Sequence, residues 1–171
     1  LISINIVYFY FDFNFDFLIC NIVIFIGALS NFYLIFIYKK TQLSDRSALL
    51  FLLIDIFQLG LLIYLTGGIV NPFVIFLIIP SVFASSNLGL RTNLLIVLAT
   101  ILIITFLTFY SEELPEPLNN HFHVSPYYYY SIPIALVVAL VFLNYFAIIF
   151  GSESRLRKEA LNKMEEIMAK E

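Results

Sequence analysis

Long apolar runs, separated by short polar segments, dominate the pattern of hydrophobic and polar positions along the chain. These runs cover residues 1–11, 17–38, 47–66, 72–87, 94–110 and 127–150. A helix needs about 20 apolar residues to cross the hydrocarbon core of a bilayer, so the fourth and fifth runs are near the short limit. The pattern predicts an all-α integral membrane helical bundle of six spans, the first of them truncated.

The segments between the runs differ in length and character. Gly67–Asn71 and Gly89–Asn93 are predicted to be tight connections, whereas residues 39–46 and 111–126 form longer polar loops. The first residue, Leu1, lies inside an apolar run. We therefore expect the chain to be part of a longer protein, with a transmembrane domain over residues 1–150 and a cytoplasmic linker over residues 151–171.

The linker is predicted to be an amphipathic signalling helix. Leu161, Met164 and Met168 recur with 3-4 spacing in a segment rich in Glu, Lys, Arg and Ala. This spacing is typical of the start of a parallel coiled coil, which favours a homodimer. Leu156, Ala160 and Ile167 lie beside the stripe. A helix lying along the membrane surface is the alternative interpretation.

Positive charges lie on one side of the predicted spans. All nine lysines and arginines fall in alternate connections or in the tail: Lys39, Lys40, Arg46, Arg91, Arg155, Arg157, Lys158, Lys163 and Lys170. The opposite connections carry only acidic charges, on Asp12, Asp16, Glu112, Glu113 and Glu116. Because Lys and Arg are retained on the cytoplasmic side, both ends of the chain are predicted to be cytoplasmic.

Composition excludes several classes of protein. The chain is 61% hydrophobic and 12% charged, whereas soluble domains carry about 25% charged residues. The single cysteine, Cys20, precludes a disulfide or a cysteine zinc site within the chain. The two histidines, His121 and His123, lie in an outer loop, whereas a membrane haem needs histidines on facing spans. A metal site formed with Glu112, Glu113 or Glu116 is the alternative to a solvated loop, and the loop is predicted to bind no metal. No catalytic residue, nucleotide-binding loop or basic nucleic-acid patch is found in the sequence.

Polar residues inside the apolar runs are candidates for function. Asp55 lies near the middle of the third span and Gln58 is three residues further on, hence on the same helix face. Asn31 and Asn144 lie in the second and sixth spans. We expect Asp55 to be protonated or to face water. One interpretation is an interhelical clamp from Asp55 to Asn31, Gln58 or Asn144, and the other is a proton-linked or ligand-linked relay.

The connection Gly67-Gly68-Ile69-Val70-Asn71-Pro72-Phe73 allows two interpretations. As a tight turn, a glycine ends the third span in a left-handed conformation, Asn71 caps the next helix and Pro72 occupies its first turn. As a ligand site, backbone N–H groups and the Asn71 amide donate to a carbonyl oxygen while Phe73 stacks on a ring. The second interpretation suits a quinone head group arriving from the lipid.

These residues carry a resemblance to a known family. The run Leu43-Ser44-Asp45-Arg46, then Asp55, Gln58, residues 64–68 and Asn71-Pro72-Phe73 resemble the sensor domain of RegB/PrrB-type redox-responsive histidine kinases. That family has six spans and a GGxxNPF motif assigned to ubiquinone. The resemblance extends over most of the chain and implies that Gly67, Gly68, Asn71, Pro72 and Phe73 sense quinone.

The resemblance also implies a setting for the chain. It suggests a bacterial inner-membrane sensor that controls autophosphorylation of a kinase core beyond Glu171, with ATP bound only in that core and a response regulator as partner. Oxidised quinone is expected to lower autophosphorylation. Two rival interpretations are a transporter or channel subunit with Asp55 and Gln58 in its path, and a membrane-embedded quinone-reducing enzyme. A His-Glu-x-x-Thr-Pro box after residue 171 would favour the kinase.

Overall fold

The computed structural model describes Ile6, Tyr8, Phe9 and residues 15–37, 44–110 and 125–168. Its elements are α1 (Phe17–Ile37), α2 (Asp45–Leu65), α3 (Ile78–Asn87), α4 (Leu90–Phe109) and α5 (Pro126–Met168), with 3₁₀ helices at Gly68–Val70 and Pro72–Leu77. No strand is present in these residues. The all-α prediction is confirmed.

Four helices in the described part of the chain are long and apolar enough to cross a membrane: Phe17–Phe36, Asp45–Leu65, Leu90–Phe109 and Pro126–Glu165. They correspond to the second, third, fifth and sixth predicted spans. The fourth is present as a shorter apolar helical stretch, Pro72–Asn87. Most of the first, residues 1–11, lies outside the described residues. A multi-pass membrane protein is therefore confirmed, while the count of six spans stays a prediction.

The start of α2 is fixed by its cap. The Ser44 hydroxyl accepts a hydrogen bond from the Ser47 backbone N–H at 3.3 Å, and Asp45 supplies a negative charge in the first turn. Asp45 also accepts a hydrogen bond from the Gly89 N–H at 3.2 Å. This contact brings the start of α2 beside the connection between α3 and α4. We call this end of the bundle the basic end because Arg46 and Arg91 lie there, and the opposite end the motif end.

The predicted connection Gly89–Asn93 is shorter than expected. Gly89 is the N-cap of α4, which begins at Leu90. The polar residues Arg91 and Asn93 suggested a loop, but the first turn of α4 leaves Arg91 exposed and buries Asn93. A buried hydrogen bond between Ser85 and Asn93 joins that turn to α3, which explains why a polar residue is stable inside the bundle.

A single helix, α5, continues across residue 151, where the predicted linker begins. It runs for 43 residues without interruption from Pro126 to Met168. Gly151, the first residue of the predicted linker, is buried within the helix. The sixth span and the charged tail are therefore one continuous element.

The core lies between α2, α3, α4 and α5, and the turn preceding α3 closes it at the motif end. Its fully buried side chains include Ile56, Ile69, Leu77, Ile96 and Leu140. Helix α1 packs against α2, while α3 makes its most extensive contacts with α5. The outward faces of the helices also carry large apolar side chains, as a lipid-facing surface requires.

Candidate functional site

Two consecutive glycines in left-handed conformation form the turn after α2. Thr66 is the C-cap of α2, and its N–H donates to the Ile63 carbonyl at 3.1 Å. Gly67 then adopts φ 108° and Gly68 adopts φ 59°. Glycine takes these angles without the steric cost that a Cβ adds. The predicted helix-ending role of this pair is confirmed.

Asn71 binds the two sides of the turn together. Its side-chain amide donates to the Thr66 carbonyl at 2.9 Å and to the Thr66 hydroxyl at 2.6 Å. Its side-chain carbonyl accepts from the Phe73 N–H at 2.8 Å, which caps the 3₁₀ helix that starts at Pro72. The expected capping roles of Asn71 and Pro72 are confirmed. The expected donation from the Asn71 amide to a ligand is not supported, because both of its N–H groups already have partners.

The motif has a buried part and an exposed part. Gly67, Gly68 and Asn71 are buried, with Asn71 only 7% exposed. Pro72 and Phe73 are exposed, and the Phe73 ring keeps 42% of its surface accessible. Only the Phe76 ring contacts it among the described aromatic pairs, at 5.7 Å between centroids. Of the five motif residues, only Pro72 and Phe73 are therefore accessible from outside the bundle.

Apolar grooves lie in the same half of the bundle. One of about 230 Å³ runs between α2 and α4 and is lined by Gly60, Leu61, Tyr64, Ile103 and Phe106, among others. Another, of about 430 Å³, runs between α4 and α5 beside Thr108 and Pro133. Both grooves are open to the outside of the helix bundle. Neither is lined by the motif residues themselves.

The polar residues of α1 and α2 do not form the expected clamp. Gln58 donates to the Val23 carbonyl of α1 at 3.1 Å, and Asn31 donates to the Gly27 carbonyl of its own helix at 3.1 Å. Asp55 is half-buried and makes no hydrogen bond to Asn31, Gln58 or Asn144. The Asp55 clamp is therefore wrong: the interhelical bond comes from Gln58 and a backbone carbonyl.

Asn144 lies at the centre of a buried polar cluster. Its amide donates to the Ser81 hydroxyl at 3.1 Å and to the Leu140 carbonyl at 2.7 Å, and its side-chain oxygen accepts from Ser85. Ser85 also contacts Asn93 at 2.9 Å, so the cluster joins α3, α4 and α5. Asn144 was a candidate from the sequence, whereas Ser81, Ser85 and Asn93 were not. The spacing of the two serines, four residues apart in an apolar run, was the available signal.

The described residues contain no group of three or more His, Cys, Asp or Glu side chains arranged to hold a metal ion. His121 and His123, together with the acidic residues at 112, 113 and 116, lie outside the described part of the chain. The prediction that this loop binds no metal therefore remains untested.

Comparison with known proteins relates the chain to a membrane sensor of a histidine kinase. The chain is 25% identical over 144 residues to the sensor histidine kinase RegB of Cereibacter sphaeroides, which covers 84% of this chain and 31% of that protein. The chain thus spans about a third of the length of this relative. No solved structure matches the chain. The expected resemblance to RegB-type membrane sensors is confirmed. The MASE11 family model matches residues 18–158, from α1 into the extension of α5, and the chain belongs to the MASE11 family.

Proposed function

We propose that this chain is the quinone-sensing membrane module of a two-component sensor histidine kinase. The similarity to RegB over most of the chain supports a membrane sensor, and the turn Gly67–Phe73 supports quinone as its ligand. A kinase core joined to the end of α5 would bind ATP, phosphorylate itself and pass the phosphoryl group to a response regulator. Ubiquinone is the proposed ligand and is not consumed.

The exposed Phe73 ring on a locked turn is the observation that carries this proposal. Asn71 donates two hydrogen bonds and accepts one, and together they hold the backbone that carries Phe73. An aromatic ring fixed in this way can stack on a quinone ring with little loss of conformational freedom. The open apolar groove beside Tyr64 offers a surface along which a lipid-soluble ligand could lie.

Signalling requires the ligand to discriminate between two states of the sensor. Oxidised quinone carries two carbonyl acceptors, whereas quinol carries two hydroxyl donors. Only a difference in affinity between the kinase-on and kinase-off conformations can shift their populations. We propose that oxidised quinone favours the conformation that lowers autophosphorylation.

The proposal includes a topology. Six spans, with the basic end in the cytoplasm of a bacterium and the motif end at the outer face of the inner membrane, follow from the one-sided placement of Lys and Arg. Both ends of the chain are then cytoplasmic. The exposed apolar stripe Leu161, Met164 and Met168 on α5 would pair with the same stripe of a second copy, giving a homodimer.

A matched pair of phenylalanine variants tests the ligand site. The full-length protein carrying this chain is reconstituted in lipid nanodiscs, and autophosphorylation is measured across a titration of oxidised ubiquinone. Phe73→Leu is expected to raise the ubiquinone concentration for half-maximal inhibition by about 2-fold to 12-fold, the effect of losing one aromatic pair. Phe83→Leu is the control because Phe83 is also exposed, at 53%, and lies on α3 away from the motif turn.

Equal titrations for wild type, Phe73→Leu and Phe83→Leu would exclude Phe73 as a contact of the ligand. Asn71→Ala addresses a different role. Because the Asn71 amide holds the turn, this variant should lose the response by releasing Phe73. If Asn71→Ala and Phe73→Leu both respond like wild type, the assignment of quinone to this turn fails.

A further inference from the structure

The buried polar cluster at α3, α4 and α5 is the most extensive side-chain hydrogen-bond network in the described residues. Ser81 is 0% exposed, Ser85 and Asn93 are 3% exposed and Asn144 is 6% exposed. Each side chain has a partner. A buried network in a span is stable only when its donors and acceptors are satisfied, and its geometry is then restricted to few arrangements.

The single hydroxyl proton of Ser85 restricts which hydrogen bonds the cluster can form. Ser85 has one hydroxyl proton, but three oxygens surround it: the Ser81 carbonyl at 2.9 Å, Asn93 Oδ1 at 2.9 Å and Asn144 Oδ1. A half-turn of the Asn93 amide places its N–H₂ group against the Ser85 oxygen. Ser85 then donates its single proton to Asn144 Oδ1, and its oxygen accepts from Asn93. A rotation or slide of α5 would break this chain of bonds at Asn144.

A close backbone contact lies nearer the basic end of the same interface. A Cβ added to Gly151 would lie 2.8 Å from Ser86 Cα and 2.5 Å from the Ser86 carbonyl oxygen. Atoms this close cannot be accommodated without moving the backbone of α3 or α5. Asn144 and Gly151 are seven residues apart, or about two helical turns, so both lie on the face of α5 that meets α3.

We infer that Ser85, Asn144 and Gly151 are positioning residues that set the rotation and height of α5 relative to α3. The motif turn leads through the 3₁₀ helix at Pro72–Leu77 directly into α3, and α5 continues without a break to Met168. A displacement of the turn would therefore reach the output helix through this interface. The inference gives the proposed quinone sensor its coupling step and rests on that function for its biological meaning.

The test measures the position of α5 directly and without quinone. Nitroxide labels are placed at exposed positions on either side of the interface, through Asn87→Cys and Ser154→Cys, with Cys20→Ala removing the chain's single native thiol. The labelled chain is diluted with unlabelled chain in lipid nanodiscs. Dipolar broadening of the spectra then reports the distribution of distances between the two labels within one chain.

Ser85→Ala and Asn144→Leu are expected to increase the fraction of chains in which α5 is displaced from its wild-type position against α3. The expected increase is about threefold or more, the effect of losing one interhelical hydrogen bond. Thr100→Val is the matched control: Thr100 is fully buried, but its hydroxyl donates only to the Ile96 carbonyl of its own helix, at 2.9 Å. Gly151→Ala is a second probe, which changes no polar side chain of the cluster and should shift the mean label distance.

Thermal denaturation confirms that each variant is folded before its spectrum is interpreted. Wild-type distance distributions in Ser85→Ala, Asn144→Leu and Gly151→Ala would overturn the inference. So would equal broadening in Thr100→Val, which would show a general loss of packing. Because no quinone is added, these outcomes are independent of the proposed ligand, whose failure would appear as an absent ubiquinone response in wild type.

Discussion

At the scale of single residues, the side-chain hydrogen bonds of Asn71 go to Thr66 and Phe73 and stabilise the turn itself. The sequence predicted that a glycine would end α2 and that Asn71 would cap the following helix, because both roles follow from local backbone chemistry. The partners of the Asn71 amide could not be predicted. They depend on how the left-handed angles of Gly67 and Gly68 fold the chain back onto Thr66.

The left-handed conformation of Gly67 predicts a specific order of stability among variants. Gly67→Ala should lower the free energy of unfolding by about 1–2 kcal/mol, because a Cβ is disfavoured at φ 108°. Gly67→Asn should cost less, since asparagine tolerates this region better than alanine although its side chain is larger. Unfolding in mixed detergent micelles measures both. A larger loss for asparagine than for alanine would show that space, and not backbone angle, restricts this position.

At the scale of elements, helix boundaries were predicted well and helix partners poorly. The apolar runs indicated α1, α2 and the start of α5 to within a few residues. They gave no indication that the 3₁₀ helix Pro72–Leu77 precedes α3, or that α5 continues through Gly151. Hydrophobic periodicity identifies the packed face of a helix only when its other faces are polar. In a membrane-spanning helix nearly every face is apolar. The partner of a helix is then selected by small and polar residues such as Ser85 and Gln58, whose contacts depend on tertiary structure.

The contact between α1 and α2 provides an element-scale prediction. Gly27 lies directly against the Gln58 side chain, which would collide with a Cβ at that position. Gly27→Ala should therefore displace Gln58 from the Val23 carbonyl and lower the free energy of unfolding by roughly 0.6–1.7 kcal/mol. In the double variant Gly27→Ala with Gln58→Ala the clash is absent, so the total loss should be smaller than the sum of the two single losses.

Gly60→Ala is the control for this cycle. A Cβ at Gly60 would meet the Ile103 methyl of α4 at 2.9 Å, at a different interface. Its cost should therefore add to that of Gln58→Ala within experimental error. Additive losses for the Gly27 pair as well would show that Gln58 does not hold α1 against α2.

At the scale of the whole molecule, the sequence indicated what kind of protein this is more securely than how it works. Long apolar runs indicate that a helix lies in lipid, and basic residues on one side indicate its direction across the membrane. Both features can be read from the sequence without knowledge of tertiary contacts. The arrangement of the candidate site depends on three-dimensional contacts instead. The motif turn leads through the 3₁₀ helix Pro72–Leu77 into α3. Ser81 and Ser85 on α3 contact Asn144 of the longest helix, α5.

The extension of α5 beyond Gly151 leads to the final prediction, which concerns assembly. Leu161, Met164 and Met168 are 59%, 60% and 67% exposed in the single chain, an unfavourable arrangement in water for apolar side chains on one stripe. In a parallel dimer these positions meet their own copies. Single cysteines introduced there, in a Cys20→Ala background, should form disulfide-linked dimers in native membranes.

Control cysteines at Glu159 and Lys163 lie off the stripe and should cross-link at least about fivefold more slowly if the helices pair as a coiled coil. Oxidation time courses followed by non-reducing gel electrophoresis give the rates. Equal rates at all five positions would indicate random collision and contradict the dimer. Slow cross-linking on the stripe, combined with protection from water-soluble thiol reagents, would instead place this face of α5 against the membrane surface, and the output helix would then act without a partner.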